Sequence, residues 1–336
     1  MSVYNVFDGH FLSYSPSPVA VISGGGQGHE PLHSEFVGRG MLAAACIGEH
    51  FTAPSALQIT DHVNAHFSSS VPILFLVKNH TGDVLNFQMA TEWLTEQGYW
   101  VDFCLVDDDC APLPDHCSMG GKGLAGIVLL QKLLGAYSLQ LAGSGLSGQQ
   151  QLSVLVEQAR QWTAQCHTIS VGFLGAQAPE PDQVLEQIKV GVGLHNEQGI
   201  MQLTSGTFSE VLQHLQQQLA NAPQRARLQI QWSNATHDWQ QQFITAPLVA
   251  HPRYLLLVNG LSGQNQQQLG HLCQWVSQQL AQSQMTIVDS IAQAVCRGAH
   301  PNAFSVTLFA LDDRALSCWQ APVDTAYWQW GEINHA

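Results

Sequence analysis

Short apolar runs rich in β-branched residues punctuate the first third of the chain. Val19-Ala20-Val21-Ile22 is closed by glycines. Ile73-Leu74-Phe75-Leu76-Val77 is closed by Lys78-Asn79-His80-Thr81-Gly82-Asp83, and Val101-Asp102-Phe103-Cys104-Leu105-Val106 by Asp107-Asp108-Asp109. Runs this short, bounded this sharply, predict buried strands. Between them apolar positions take helical spacing, roughly over 35–44, 86–97 and 123–134. Strands alternating with helices predict a doubly wound, mainly parallel sheet. Ligands of such sheets bind beyond the carboxyl ends of the strands, where the glycine-rich and acidic loops fall.

A helical stretch over 152–165 precedes a new strand over 168–174 and a proline-containing loop over 176–182. This sets a domain boundary near Gln165, giving units 1–165 and 166–336. Later strands are predicted over 229–232, 255–258 and 304–308, with a glutamine-rich helix over 264–282. Tracts such as Gln216-Gln217-Gln218 read as solvated helix faces. No internal repeat is visible.

Composition narrows the function. The 336 residues are 45% hydrophobic, enough for a substantial core, and hold no apolar run long enough to span a bilayer. A cytoplasmic protein that does not engage membrane is expected. Lys and Arg total 11 against 25 Asp and Glu, a formal charge of −14, which argues against a nucleic-acid partner. Eight cysteines lie scattered without C-x-x-C pairs and read as reduced core thiols.

The stretch "SGGGQGHEPLHSEFVGRGML" (23–42) holds the candidate chemistry. Its glycines are not followed by the lysine and hydroxyl of a Walker loop, nor do they fit G-x-G-x-x-G, so support for phosphate binding is weak. His29-Glu30-Pro31-Leu32-His33 matches the zinc-protease string H-E-x-x-H. Pro31 disfavours helix at Glu30, which leaves His29 in the turn and His33 on the following helix. No metal is expected. A third reading fits better: glycines that let backbone approach a ligand, with a histidine at the mouth able to exchange protons near neutral pH. Taken alone, a structural turn with a hydrogen-bonded histidine explains the stretch equally well.

"SGGGQGHEP", "FVGRGML", "VKNHTGDVLNF" and "VGVGLHNEQGI", in that order, resemble the dihydroxyacetone-binding subunit of dihydroxyacetone kinases, the DhaK type. The likeness runs from Val19 to about Trp328. It implies two α/β domains, the first with a doubly wound, mainly parallel sheet and the second smaller with a mixed sheet, usually in a homodimer. It implies that Gly26, Gln27, Gly28 and His29 form the substrate turn. Lys78 and Asp83 would be a substrate-contacting lysine and a catalytic aspartate, and His195 would form a hemiaminal with the substrate carbonyl. That carbonyl distinguishes dihydroxyacetone from glycerol. Asp83 and His29 are the candidate general bases, and Lys78 can offset developing negative charge. From the residues alone, Asp83 also suits a helix N-cap, Lys78 a solvated loop and His195 a turn.

Phosphoryl transfer needs nucleotide and magnesium. The chain shows no Walker loop or kinase lysine set, and Asp107-Asp108-Asp109 reads as a solvated strand-end loop. No cofactor is expected in this chain. The resemblance places Mg-ADP or Mg-ATP on a separate DhaL-type subunit, which in many bacteria is rephosphorylated by a DhaM-type phosphotransferase-system protein. The chain ends where the first domain of fused, ATP-dependent members ends, so the separate-subunit type is expected.

Some positions depart from the pattern. Ala53 stands where a substrate-contacting serine is usual, a loss of ~1 kcal/mol for one hydrogen bond. "NGLSG" (259–263) and "VCRGAHPNAFS" (295–305) also differ, and 223–251 is longer than usual. These changes are expected to lie largely outside the covalent site. Non-catalytic paralogues that bind dihydroxyacetone and co-activate transcription make a sensor the alternative to a kinase subunit.

Overall fold

A computed structural model describes residues 5–7, 11–13, 17–111, 120–175, 179–195, 197, 199, 201–245, 253–283 and 285–331. The first half comprises strands β1 (Asn5–Phe7), β2 (Phe11–Ser13), β3 (Ala20–Gln27), β4 (Gly38–Arg39) and β5 (Ala44–His50), then helix α1 (Ala56–His66). It continues with β6 (Ile73–Lys78), α2 (Thr81–Glu96), β7 (Val101–Val106), α3 (Gly126–Gln140) and α4 (Gly148–Ala164). Its sheet has the order β1-β2-β5-β3-β6-β7. The pairs β5/β3, β3/β6 and β6/β7 are parallel, and the two N-terminal strands close one edge antiparallel.

The chain enters a second sheet at β8 (Cys166–Leu174). β9 (Val184–Val190), β10 (Met201–Thr207), α5 (Phe208–Asn221), β11 (Ala226–Ser233) and β12 (Asp238–Thr245) follow. Then come β13 (Arg253–Gly260), α6 (Gln266–Gln282), β14 (Thr286–Gln293), β15 (Ala303–Leu311), α7 (Asp313–Gln320), β16 (Val323–Thr325) and β17 (Gln329–Trp330). The order β10-β9-β8-β15-β13-β14 is mixed: β13/β14 is parallel and the other pairs are antiparallel. This is the α/β architecture expected, with a mainly parallel first sheet and a mixed second one.

Helix α3 is mostly apolar and buried from Gly126 to Ser138, as befits a helix enclosed on every side, and its buried Lys132 finds a partner in the Cys318 carbonyl. Its core joins Val21, Leu74 and Leu76 of the first sheet to Leu255, Leu257 and Phe309 of the second. The opposite face of the first sheet is covered by α1, α2 and the β11–β12 hairpin, through Ile59, Phe87, Leu228 and Ile230. Helices α5 and α6 cover the far face of the second sheet. Strand β16 returns to pair with β4, Asp324 opposite Arg39.

Two expectations change. The helix over 35–44 does not form: Ser34–Phe36 is one turn of 3-10 helix, followed by β4 and the start of β5. Gly40 at φ +80° cannot continue a right-handed helix. Phe36, Val37, Met41 and Leu42 are all buried, so their spacing reflects enclosure, not a helical face. His33 is therefore not on a helix, and H-E-x-x-H lacks its helical frame.

The second change concerns Asp107 and Asp108, which are buried, not solvated. Asp107 accepts from Arg227 Nε at 3.0 Å and from the Leu228 amide at 3.0 Å, tying the hairpin to the first sheet. Asp108 accepts from the amides of Leu124 (2.6 Å) and Gly126 (2.9 Å), fixing the start of α3. Asp109 bonds the Ala111 amide at 2.9 Å, and burial pushes its carboxyl up to about 7.

The described part of 223–251 is chiefly the β11–β12 hairpin, whose first strand contains the one expected over 229–232, with Trp239 donating to Glu92 at 2.6 Å. Residues 246–252 lie outside the described set, as do 176–178 of the expected proline loop.

Candidate substrate site

The site gathers at the carboxyl ends of β3, β5 and β6, where the turn after β9 of the second sheet meets them. β3 ends on Gly26 and Gln27, where its register with β5 shifts and Gln27 pairs with His50. A Cβ on Gly26 would stand 2.5 Å from the Thr52 amide, so the two loops approach as closely as only glycine allows. Gly28 sits at φ +102°, and its N–H donates to Glu30 Oε1 at 2.9 Å. That curl delivers His29 into the interior.

His29 is buried with Nδ1 2.8 Å from the Arg297 carbonyl. A carbonyl can only accept, so Nδ1 carries the proton and Nε2 is left with its lone pair. Burial, then the charge of Lys78, lower its pKa to about 4. Between pH 6.5 and 4 the unfolded chain takes up a proton here that the folded chain refuses. This histidine therefore costs stability as pH falls through that window. Relative to His29→Asn, the wild type should lose about 2 kcal/mol more between pH 7 and 5. Urea denaturation of both proteins at both pH values checks this; equal losses would contradict the depressed pKa.

β6 carries Lys78 inward, with 2% of its side chain exposed and Nζ 3.6 Å from Asp83 Oδ2. A Cβ on Gly25 would lie 2.8 Å from that ammonium, so the lysine sits directly against the glycine turn. Lys78 is not a solvated loop residue. Nor is Asp83 an N-cap: α2 starts at Thr81 with His80 in the cap position, and Asp83 lies in the first turn. Burial raises the affinity of its carboxyl for a proton, opposed by Lys78.

His195 stands in the turn after β9 with 40% of its side chain exposed. Its ring lies 5.2 Å from that of His29 and 5.0 Å from that of His80, both edge-on. Phe51, at 6.1 Å, walls the same space. His80 Nε2 donates to the Gly123 carbonyl at 2.8 Å, and burial holds this imidazole neutral. Glu197 Oε2 accepts the His195 amide at 3.0 Å. The structure thus brings together Gly26, Gly28, His29, Lys78, Asp83 and His195, with Gln27 at the rim.

The segments expected to lie away from the site reach it through backbone. Asn259 Oδ1 accepts from the amides of Val295 (2.9 Å) and Cys296 (3.0 Å), positioning the Arg297 carbonyl that orients His29. The Ala299 amide donates to the Leu194 carbonyl at 2.7 Å, next to His195. Ala53 lies beside Gly82, where a Cβ would be 3.3 Å from its own. His80, Phe51, Glu197 and the Arg297 carbonyl were not singled out in the sequence. His80, lying between Lys78 and Asp83, and Glu197, two residues after His195, carry a local signal; Phe51 and the Arg297 carbonyl do not. Among the described residues no group of three or more His, Cys, Asp or Glu is placed to hold a metal. No described helix is long and apolar enough to cross a membrane.

Residues 7–327 match the Dak1 domain. The chain belongs to the Dak1 family. It is 32% identical over 321 residues to the PEP-dependent dihydroxyacetone kinase, dihydroxyacetone-binding subunit DhaK, of Escherichia coli K12, covering 94% of this chain and 87% of that one. Among solved structures, a dihydroxyacetone kinase operon co-activator, Dha-DhaQ, superposes with a TM-score of 0.77 at 23% identity, covering 97% and 94% of the two chains. The dihydroxyacetone kinase of C. freundii gives 0.72 at 25% identity, covering 99% of this chain and 57% of that one. The Dak1 assignment agrees with the four ordered motifs and spans both sheets.

Proposed function

We propose that this Dak1 protein is the dihydroxyacetone-binding subunit of a dihydroxyacetone kinase. In this reading it holds its substrate as a hemiaminal on His195 while a nucleotide-bearing subunit delivers the phosphoryl group. The observation that carries it is the meeting of His29 and His195, from different sheets, at 5.2 Å beside the buried Lys78–Asp83 pair. An imidazole Nε2 adds to a ketone carbon; glycerol offers the same terminal hydroxyls without that electrophile. The tether fixes the hydroxyl to be phosphorylated, lowering the entropic part of the barrier. Asp83, its proton affinity raised by burial, takes the hydroxyl proton, with His29 Nε2 as the second acceptor. Lys78 stabilises negative charge developing on substrate oxygen.

The Mg-nucleotide then belongs to a DhaL-type partner, supplied in turn by a DhaM-type phosphotransferase protein, and the subunit works as a cytoplasmic homodimer. A non-catalytic dihydroxyacetone sensor is the second reading, favoured by the divergent segments 259–263 and 295–305 around a site that retains His29, Lys78, Asp83 and His195. Calorimetric titration tests the shared claim. Glycerol should bind at least about tenfold more weakly than dihydroxyacetone, roughly 1.4 kcal/mol; equal affinities would defeat it. Turnover on reconstitution with a nucleotide-bearing subunit separates kinase from sensor.

A further inference from the structure

Glu197 has no part in the reading above, yet its carboxylate is placed with care. Its own amide donates to the Val192 carbonyl at 2.9 Å, Oε2 accepts the His195 amide at 3.0 Å, and Oε1 stands 3.6 Å from His195 Nδ1. Gly193, at φ +58°, makes the room: a Cβ there would collide with Glu197 Oε2. Burial works against ionisation of Glu197, but the neighbouring His195 ring and backbone amides outweigh it and hold the carboxyl below its ordinary range. On its other sides His195 meets the rings of His29, His80 and Phe51.

We propose that Glu197 is a positioning residue for His195, keeping the ring proton on Nδ1 so that Nε2 presents its lone pair to the substrate carbonyl. The tautomer of an imidazole is set by the bond its other nitrogen makes, and contacts that are long without ligand tighten when the site is occupied. This rests on the hemiaminal reading of His195. In the addition the Nε2 lone pair forms the C–N bond and the C=O π pair moves to oxygen, which gains a proton. The alkylated ring is cationic until Nδ1 releases its proton, so the sum is imidazole plus ketone giving a neutral hemiaminal. The Glu197 carboxylate faces Nδ1 throughout and stabilises the cationic stage.

A glutamate that merely closes the 193–197 turn would leave the ring's tautomer unaffected, and that separates the two roles. In Glu197→Gln an amide N–H can turn toward Nδ1 and favour the opposite tautomer. Nitrogen NMR of ¹⁵N-histidine-labelled, ligand-free protein should show His195 protonated on Nδ1 in the wild type and shifted toward Nε2–H in Glu197→Gln. Dihydroxyacetone affinity should fall on the order of tenfold, the lower end of what removing a carboxylate that orients a metal-bound imidazole costs. Glu197→Asp, which keeps the charge, should recover part of both, and thermal melts should verify that each variant folds. An unchanged tautomer in folded Glu197→Gln overturns the proposal. Because the tautomer is read without ligand, it answers separately from whether the wild type forms an adduct, which tests His195 itself.

Discussion

Replacing His195 by alanine should abolish the covalent link to dihydroxyacetone and lower turnover in the reconstituted system by on the order of 100-fold, the cost of losing a fixed reactive geometry. The turn at Gly26–His29 remains, so the variant should still bind weakly, through hydrogen bonds alone. It should also lose discrimination, binding glycerol and dihydroxyacetone with similar affinity. The fold should tolerate the change, because the ring is 40% exposed and occupies a turn. Titration with both ligands, alongside steady-state rates, checks this. A variant that kept its preference for dihydroxyacetone would show that selectivity resides elsewhere.

Asp83→Asn should behave in the opposite way. The adduct persists, because His195 is untouched, while phosphorylation in the reconstituted system falls by about 10² to 10⁴, the range for losing a general base. Asparagine keeps the shape and can still accept a bond from Lys78, 3.6 Å away in the wild type, but it cannot take a proton. The fall should appear in kcat with dihydroxyacetone affinity little changed. If Asp83→Asn retained most of its turnover, the base would have to be His29, whose Nε2 has the free lone pair.

Much of this arrangement was legible beforehand, for identifiable reasons. The strands at Val19, Ile73 and Val101 stood out because they are buried on both faces and bounded by polar or glycine-rich loops. Helix α2 begins five residues before its apolar spacing shows, because its N-cap, His80, makes no side-chain cap bond and Asp83 mimics a cap further along. β5 was missed: Ala-Ala-Cys-Ile-Gly-Glu-His lacks the bulky branched residues that mark strands. α1 goes unread, and α5 shows only as the solvated face at 216–218, although each opens on a capping box, Ser55 with Gln58 and Thr207 with Glu210. Strands β9, β10 and β14 are partly exposed and polar, so their alternation is faint.

The site divides similarly. Lys78, Asp83, His29 and His195 lie in local strings that carry the family resemblance. What orients them lies only partly there: Glu197 shares the string of His195, but the group that orients His29 is far off in sequence. The Arg297 carbonyl that fixes the tautomer of His29 is backbone, 268 residues away in sequence, and no side-chain pattern encodes it. The same holds for Asn259, whose contacts with Val295 and Cys296 form only once β13 and the following loop are folded together. Asp107 looked like a surface acid because its partner, Arg227, arrives from the second half of the chain.

The mechanism turns on a bond between a nitrogen of His195 and the carbonyl carbon of dihydroxyacetone. Carbon NMR of [2-¹³C]dihydroxyacetone bound to ¹⁵N-histidine-labelled protein tests it most directly. The labelled carbon should leave the ketone region and show a one-bond coupling to ¹⁵N that disappears in His195→Ala. A saturated carbon without nitrogen coupling would be only the ketone hydrate. That signal, or an intact ketone in a saturated complex, would contradict the mechanism.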